Sequence, residues 1–425
     1  MDEIIQEFLN KYNYDIRISH NARWIDQKCT MDVLSLVADC IMEFLKEDTS
    51  KEFTSFDIWH SDYAVANVQS IFKKPDPNKK ARNEYDKWFG QPLKLLGYSR
   101  ILIERKVGNK NYYKLNNEEL LRYISQRDSN SLNFLKYYIE KVITDSGIKQ
   151  YFDNFFDKQD KESFSKLKDA FTRTTIKYTN INGKIECGRI FTKVLNPLAF
   201  CYNKKGTERG NISKGKITLD MLLYNRPNWR DNKDKPKDIT RKEYESRYAP
   251  KLDLMTDYKI AKAKKILREF NNKYRSGCSE AKEKGVYPAE GTQIHHIFPC
   301  ADFPTIADYL ENLIVLTPTQ HLYYAHPKGN TQYVDEEYQC FLLISKVGMI
   351  KDNLMLKDNS KKIYNFEFMI FVLNTGLKTE DFIKIKKYDF ETVVEMIDFK
   401  YHSTGTDIEK VAEKSEKYTL DNSKK

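Results

Sequence analysis

Hydrophobic residues in the N-terminal part of the chain recur every three or four positions, which is the spacing of amphipathic helices. The clearest run is Met31–Leu45, which follows a candidate N-cap at Thr30. A second helix is predicted after Thr54, another residue suited to capping. A third is predicted over Ala81–Leu96, where Pro92 is expected to kink or divide it. The chain therefore opens with a series of helices.

After these helices the pattern changes to strict alternation over Ile101–Leu115, which predicts two strands joined at Gly108–Asn109. Helices followed by a basic hairpin predict a winged-helix-like, DNA-reading domain over residues 1–128, in which the helix before the hairpin enters the major groove. The alternative is a module that only packs against other protein, since this architecture also mediates protein contacts. The candidate DNA contacts are Arg82, Asn83, Lys87, Gln91, Arg105, Lys106 and Lys110.

Residues 129–284 are predicted to form a basic middle region of mixed α and β structure. A strand is expected within Cys187–Pro197, a glycine-punctuated basic loop over Thr207–Lys216, and a basic helix over Thr256–Phe270. Residues 204–251 contain fourteen Lys and Arg against seven Asp and Glu, a net charge of +7 in 48 residues. Such a segment attracts a polyanion such as nucleic acid, although a solvated basic loop has the same composition. The candidate contacts here are Arg209, Lys214 and Lys216.

The composition indicates a folded, multidomain protein. A chain of 425 residues is longer than one core usually supports, and 40% hydrophobic residues suffice to build several. The seven cysteines are scattered without a Cys-x-x-Cys pair, which favours reduced thiols over disulfides or a zinc knuckle. No apolar run approaches a membrane span, so we expect a cytoplasmic protein with no membrane partner. Residues 331–402 are predicted to form a helical region on the preceding core, and residues 403–425 a polar tail.

Four of the seven histidines lie in one short segment, residues 285–330. Gln293–Phe298 and Leu313–Leu316 are predicted strands. Thr317–Gln320 matches a capping box with proline at the first helical position, so a helix should begin near residue 318 and end before Pro327. The predicted unit is strand, loop, strand and helix. The histidines are His295, His296, His321 and His326.

This segment resembles the ββα-metal motif of the HNH nuclease superfamily. The resemblance implies that His295 and His321 bind a divalent metal, that His296 is the general base, and that Asn312 fixes the loop between the strands. Adjacent histidines on a strand point to opposite faces, which also favours one ligand and one base. His326 follows His321 by five residues, about 140° round an ideal helix. It is therefore expected to be an accessory ligand, a phosphate contact or a surface histidine.

The implied reaction is hydrolysis of a phosphodiester to 5′-phosphate and 3′-hydroxyl ends, in which one metal offsets charge and an imidazole takes a proton from water. Magnesium is the first expectation for the metal. Manganese, nickel and zinc are alternatives, because many members of the superfamily carry aspartate where this chain has His295 and because magnesium prefers oxygen ligands. The alternative for the whole cluster is a structural group of histidines without catalysis.

The wider organisation, an α+β, multidomain and mostly helical chain with an N-terminal winged-helix-like domain and a ββα-metal core, resembles type II restriction endonucleases, including type IIS. The resemblance implies a sequence-specific double-strand DNA endonuclease and a cognate DNA methyltransferase in the same system. With one active site in each chain, cleavage of both strands suggests either transient pairing of two chains as a homodimer on DNA or sequential nicking. One rival is a non-specific or nicking nuclease in defence or repair. Another is a DNA-binding regulator with a structural histidine cluster.

Overall fold

The computed structural model describes residues 1–72, 82–224, 250–282, 289–326, 334–357 and 362–402. The chain divides into two compact units, Met1–Lys251 and Leu252–Lys425. Helices dominate, and the described strands form three separate two-stranded antiparallel sheets. The mostly helical α+β class is therefore confirmed. No helix among the described residues has both the length and the apolar character needed to cross a membrane.

The first unit has eleven described helices and two hairpins. The helices are α1 Asp2–Asn10, α2 Ile16–Ser19, α3 Met31–Phe44, α4 Ser55–Trp59, α5 Asp62–Phe72, α6 Arg82–Tyr98, α7 Glu118–Gln126, α8 Asp128–Asp145, α9 Lys149–Lys158, α10 Lys161–Tyr178 and α11 Lys184–Cys201. Thr54, and not the alternative Ser55, is the N-cap of helix α4, where it forms a reciprocal capping box with Asp57. Helix α6 passes through Pro92 as one element, so the predicted division of this helix is not observed.

The predicted hairpin is confirmed, with β1 over Leu102–Val107 and β2 over Lys110–Leu115. Its turn falls at Gly108, whose φ of +59° is the left-handed conformation that glycine adopts without strain. Helix α6 packs against β1 with Gly97 at the point of closest approach, where an added Cβ would lie 3.2 Å from Cβ of Glu104. A helix followed by a twisted hairpin is thus present where the alternation predicts it.

Two expectations for the middle region are wrong. Cys187–Pro197 lies within helix α11, because its buried residues Ile190, Phe191, Val194, Leu195 and Leu198 follow helical spacing. The expected loop over Thr207–Lys216 is a hairpin of β3, Lys205–Glu208, and β4, Asn211–Lys216. This hairpin is fixed to α11 by Asn196, whose side chain accepts from Thr207 N at 2.8 Å and donates to Thr207 O at 3.0 Å.

The second unit surrounds the histidine segment with helices. Its regular elements are α12 Pro250–Arg275, β5 Gln293–His296, β6 Leu313–Leu316, a π-helix Gln320–Ala325, α13 Glu336–Leu354, α14 Phe366–Gly376 and α15 Phe390–His402. One hydrophobic core includes residues from all of them except β5, which packs against it through the partly buried Ile294. Gly376 of α14 lies against the ring of Phe298, where an added Cβ would come within 2.3 Å. The helical C-terminal region predicted from the sequence therefore packs on the strands that carry the histidines.

A buried ion pair links this core to β6. Lys346 of α13 and Glu280 are each 1% exposed, and their charged atoms lie 3.2 Å apart. The hydroxyl of Tyr364 accepts from Lys346 at 2.7 Å and donates to Glu280 at 3.1 Å. Glu280 also accepts from the backbone N–H of Val315 in β6 at 2.9 Å. The network therefore positions the second strand of the histidine segment.

Two compact units are fewer than the five segments expected from the sequence. The boundary expected at residue 128 lies within the first unit, and those at 284 and 330 lie within the second. The predicted tail over 403–425 lies outside the described residues, as does much of the basic segment, residues 225–249.

Candidate metal centre

The two strands of the histidine segment pair antiparallel, with His295 opposite Ile314 and His296 opposite Leu313. Asn312 is fully buried just before β6 and joins both ends of the intervening loop. Its side chain accepts from Phe298 N at 2.9 Å and donates to Phe298 O at 3.1 Å and to Ile306 O at 3.2 Å. These contacts are those of a residue that fixes the loop, which is the role the resemblance implies for Asn312.

The helix that follows β6 begins with the predicted capping box. Gln320 N donates to Thr317 Oγ1 at 3.1 Å, and Thr317 N donates to Gln320 Oε1 at 3.1 Å. The buried Gln320 side chain also accepts from Ser279 Oγ at 2.6 Å and donates to Ala281 O at 2.9 Å. The start of the helix that carries His321 is therefore fixed both by its own capping box and by hydrogen bonds to Ser279 and Ala281.

Three imidazoles converge beside this helix. The nearest ring nitrogens of His295, His321 and His326 all lie within 4.8 Å of one another. The ring centroids are 5.2 Å apart for His295 and His321, and 4.9 Å for each of the other two pairs. His295 and His326 are only 3% and 4% exposed. The three nitrogens are close enough together to bind one ion.

His326 joins the cluster because the helix is wound more loosely than an α-helix. Over Gln320–Ala325 the backbone has the π-helical i→i+5 hydrogen-bond register, which has more residues per turn than an α-helix, and His326 follows directly as the C-cap. The 140° separation expected for His321 and His326 holds only for 3.6 residues per turn. Such π-helical turns occur frequently at functional sites.

The buried nitrogen of His295 fits a metal ligand. His295 Nε2 is buried and has no hydrogen-bond partner among the residues that the structure describes, a state that costs free energy unless another group satisfies it. Burial, and then the neighbouring His326 and His321, hold the pKa of His295 well below its ordinary range. The imidazole is therefore neutral at physiological pH, which is the form that binds metals.

His296 is placed to exchange a proton rather than to bind the ion. Its Nε2 lies 3.1 Å from Ala307 O. A carbonyl oxygen only accepts, so Nε2 carries the hydrogen and Nδ1 carries the lone pair. Burial, and then the ammonium of Lys264, lower the pKa of His296 to about 4, against the effect of the Ala307 contact. At neutral pH this imidazole is uncharged and can accept a proton on Nδ1.

The donor set favours some metals over others. Three imidazole nitrogens are typical ligands of zinc, nickel and similar ions, whereas magnesium prefers six oxygens. The three-residue group contains no carboxylate. Three protein ligands also leave coordination positions for water or substrate, as in catalytic rather than closed structural sites. The fit is therefore better for zinc, nickel or a related ion than for magnesium.

The candidate DNA contacts lie in the first unit. Arg82 and Asn83 open α6, and Gln91 of the same helix accepts from Lys28 N at 2.8 Å. Arg105 on β1 forms an ion pair with Glu52 at 2.7 Å. Exposed basic side chains lie on α6 and on the two hairpins, namely Lys87, Lys106, Lys110, Arg209, Lys214 and Lys216. The two hairpins thus present several cations to solvent.

Sequence patterns miss one residue of the site, Lys264 on α12. This half-buried lysine lowers the pKa of His296 and His321, in each case after burial as the larger cause. The sequence predicts the basic helix over Thr256–Phe270 that contains Lys264. Which face of this helix packs against β5 depends on the tertiary structure and does not follow from the sequence pattern. A second group, Cys340, Asp398 and His402, is also close together, and there His402 already pairs with Asp398 at 3.0 Å.

The structure brings His295, His321 and His326 together, while His296, the next residue of β5, directs its Nε2 to the carbonyl of Ala307. No family model, curated protein or solved structure matches the chain. The function is therefore argued from this geometry and its chemistry.

Replacing His326 by alanine is expected to weaken metal binding by at least about tenfold, the scale on which even outer-shell partners of a metal act. The reason is that His326 supplies one of three converging nitrogens. Titration of metal-depleted protein with Zn²⁺ or Co²⁺ measures the effect, with His321→Ala as the reference for a lost ligand. An affinity of His326→Ala equal to that of the wild type would show that only two histidines bind.

Proposed function

We propose that the second unit is an HNH-type, metal-dependent phosphodiesterase and that the chain is a sequence-specific endonuclease of double-stranded DNA. The observation that carries the proposal is the combination of three converging imidazoles with a neighbouring histidine, His296, whose Nε2 is held by a backbone carbonyl. The order of strand, loop, strand and helix, with Asn312 fixing the loop, supports the assignment to this superfamily.

The histidines divide the chemistry between them. His295, His321 and His326 would hold the divalent ion, which when bound offsets the negative charge on the phosphoryl and leaving oxygens. His296 takes a proton on Nδ1 from the water whose oxygen bonds to phosphorus. The bond from phosphorus to the 3′ oxygen breaks, and that oxygen receives a proton from solvent. The products carry a 5′ phosphate and a 3′ hydroxyl.

Ala307 and Asn312 keep the base in place. The carbonyl of Ala307 holds the tautomer of His296 by accepting from Nε2. Asn312 joins the two ends of the loop that contains Ala307, through Phe298 and Ile306. These residues act on the reaction only through the orientation of His296, so they are positioning residues.

The first unit is proposed as the DNA-reading part. Its helix α6 followed by the β1–β2 hairpin supports a winged-helix-like interpretation, in which α6 would contact base edges and the hairpin would contact phosphates. A restriction endonuclease of this kind would act together with a cognate DNA methyltransferase, which protects the same recognition sequence from cleavage. With one active site in each chain, cutting both strands requires two chains on one DNA or two successive nicks.

Incubation of the purified protein with unmodified plasmid and Mg²⁺, Mn²⁺, Zn²⁺ or Ni²⁺ tests the proposal. We expect discrete fragments, because a specific endonuclease cuts only at its sites. A smear would indicate the non-specific nuclease, and an open circle the nicking enzyme. Intact plasmid with every metal would contradict nuclease activity and favour the regulator.

A further inference from the structure

Helix α12 runs alongside β5 in the opposite direction. Near the end of the helix, Arg268 Nη2 donates to the carbonyl of Thr292, the residue before β5, at 2.9 Å. Near its start, Asp257 acts on Cys300 beyond β5, where burial is the main cause of the raised pKa of the thiol. Lys264 lies between them on the same face of the helix, because it precedes Arg268 by four residues and follows Asp257 by seven. The helix therefore places Lys264 beside the histidines.

The packing of α12 fixes this orientation. Ala263 and Leu267 are buried in the core that also contains Leu313 and Leu316 of β6. Lys264 follows Ala263 directly and is half-buried, at the edge of this contact. Half-burial is typical of a lysine whose aliphatic stem lies against protein while its ammonium stays accessible.

The ammonium of Lys264 has no counter-ion in the part of the chain that the structure describes. No hydrogen bond or ion pair joins it to any described side chain. The carboxylates of Asp257 and Asp308 act, like Lys264, on Cys300. Arg268, one turn along the same helix, touches the residue before β5, so Lys264 lies alongside the strand that carries His295. The charge of Lys264 accordingly acts on His295, His296 and His321. A half-buried ammonium without an ion-pair partner in the described part of the chain can bind an anionic ligand.

We propose that Lys264 binds a non-bridging oxygen of the scissile phosphate. The proposal rests on the proposed function, which supplies a phosphodiester as the anion. Lys264 is suited to this contact because its ammonium acts as a point charge toward phosphate. Arg268, one turn along the helix, is already engaged with Thr292 O. In this arrangement the scissile phosphate is bound by the ammonium of Lys264, a residue that lies outside the histidine segment.

The test compares Lys264→Ala, Lys264→Arg and a matched control, Lys265→Ala, which removes an exposed lysine from the next position of the same helix. A hydrogen bond to a charged group contributes roughly 1.5–3 kcal/mol, so kcat/KM for DNA cleavage should fall roughly 10- to 100-fold in Lys264→Ala. Lys264→Arg should recover much of the loss, because it keeps the charge. Lys265→Ala should stay within about twofold of the wild type, as surface substitutions usually do.

A second measurement locates the contact without cleavage. The affinity of wild type and Lys264→Ala is measured in EDTA for one duplex with a normal scissile phosphate and for one with an uncharged methylphosphonate at that position. We expect Lys264→Ala to weaken binding of the normal duplex and to have no effect on the methylphosphonate duplex. An equal loss on both duplexes would overturn the proposal.

The two proposals fail differently. If the wild type cleaves DNA and Lys264→Ala cleaves it as fast as Lys265→Ala, the role of Lys264 is contradicted and the nuclease stands. If the wild type neither binds nor cleaves DNA, the proposed function fails, and the role of Lys264 fails with it.

Discussion

Replacement of His296 by alanine is expected to slow DNA cleavage by at least about 100-fold, the lower range of the contribution made by general acid–base catalysis. His296 is the histidine of the segment whose Nε2 is held by a backbone carbonyl, which leaves Nδ1 to take the proton from water. Alanine removes that acceptor and leaves the three converging imidazoles in place. The rate is measured under single-turnover conditions with saturating metal, so that substrate binding and product release do not mask the chemical step.

The control separates a lost base from a damaged site. The affinity of His296→Ala for Zn²⁺ or Co²⁺ and its thermal unfolding temperature should stay close to those of the wild type. His402→Ala removes a histidine of the same unit that lies outside the cluster, and its cleavage rate should be unchanged. A His296→Ala protein that cleaves within tenfold of the wild type would remove His296 from the role of base.

Replacement of Lys346 by methionine is expected to destabilise the second unit by about 3–5 kcal/mol, the usual effect of removing one partner of a buried ion pair. Glu280 would then remain buried with a negative charge and without its cation. Glu280 also accepts a hydrogen bond from the backbone N–H of Val315 in β6. The loss of stability is therefore expected to affect β6, the strand that pairs with β5. Urea unfolding followed by hydrogen exchange in peptides of the second unit measures the change in the full chain.

The double variant Glu280→Gln/Lys346→Met serves as the control. Glutamine keeps an acceptor for Val315 N but carries no charge, so the double variant should recover part of the stability that Lys346→Met loses. Replacement of a buried ion pair by neutral groups is often close to neutral. If the double variant loses as much stability as the sum of its two single variants, the ion pair is not the source of the effect.

Short sequence patterns predict those parts of the fold and of the site that depend only on residues close together in the chain. The hairpin at Gly108 follows from alternation and from a glycine that adopts positive φ. The capping box of Thr317 and Gln320 follows from residue types three positions apart, and both of its hydrogen bonds are present. Asn312 directly precedes the predicted strand Leu313–Leu316, and its buried side chain bonds to Phe298 at the other end of the loop.

Other features depend on geometry that no short pattern contains. The separation of about 140° predicted between His321 and His326 assumes an α-helix, whereas the chain forms a π-helix over Gln320–Ala325. The stretch Cys187–Pro197, expected to include a strand, is helical, and its buried positions recur at helical spacing. Lys264 reaches the site only because α12 packs along β5, a contact between segments that are distant in sequence.

The most direct test of the metal centre combines cleavage with metal binding. Metal-depleted wild type and His321→Ala are supplied with increasing concentrations of one divalent ion, and both the cleavage rate and the bound metal are measured. We expect no cleavage in EDTA, equal midpoints for cleavage and binding, and a shift of both midpoints by at least about tenfold in His321→Ala. Cleavage that persists without metal, or a metal dependence that His321→Ala leaves unchanged, would contradict a catalytic ion bound by His295, His321 and His326.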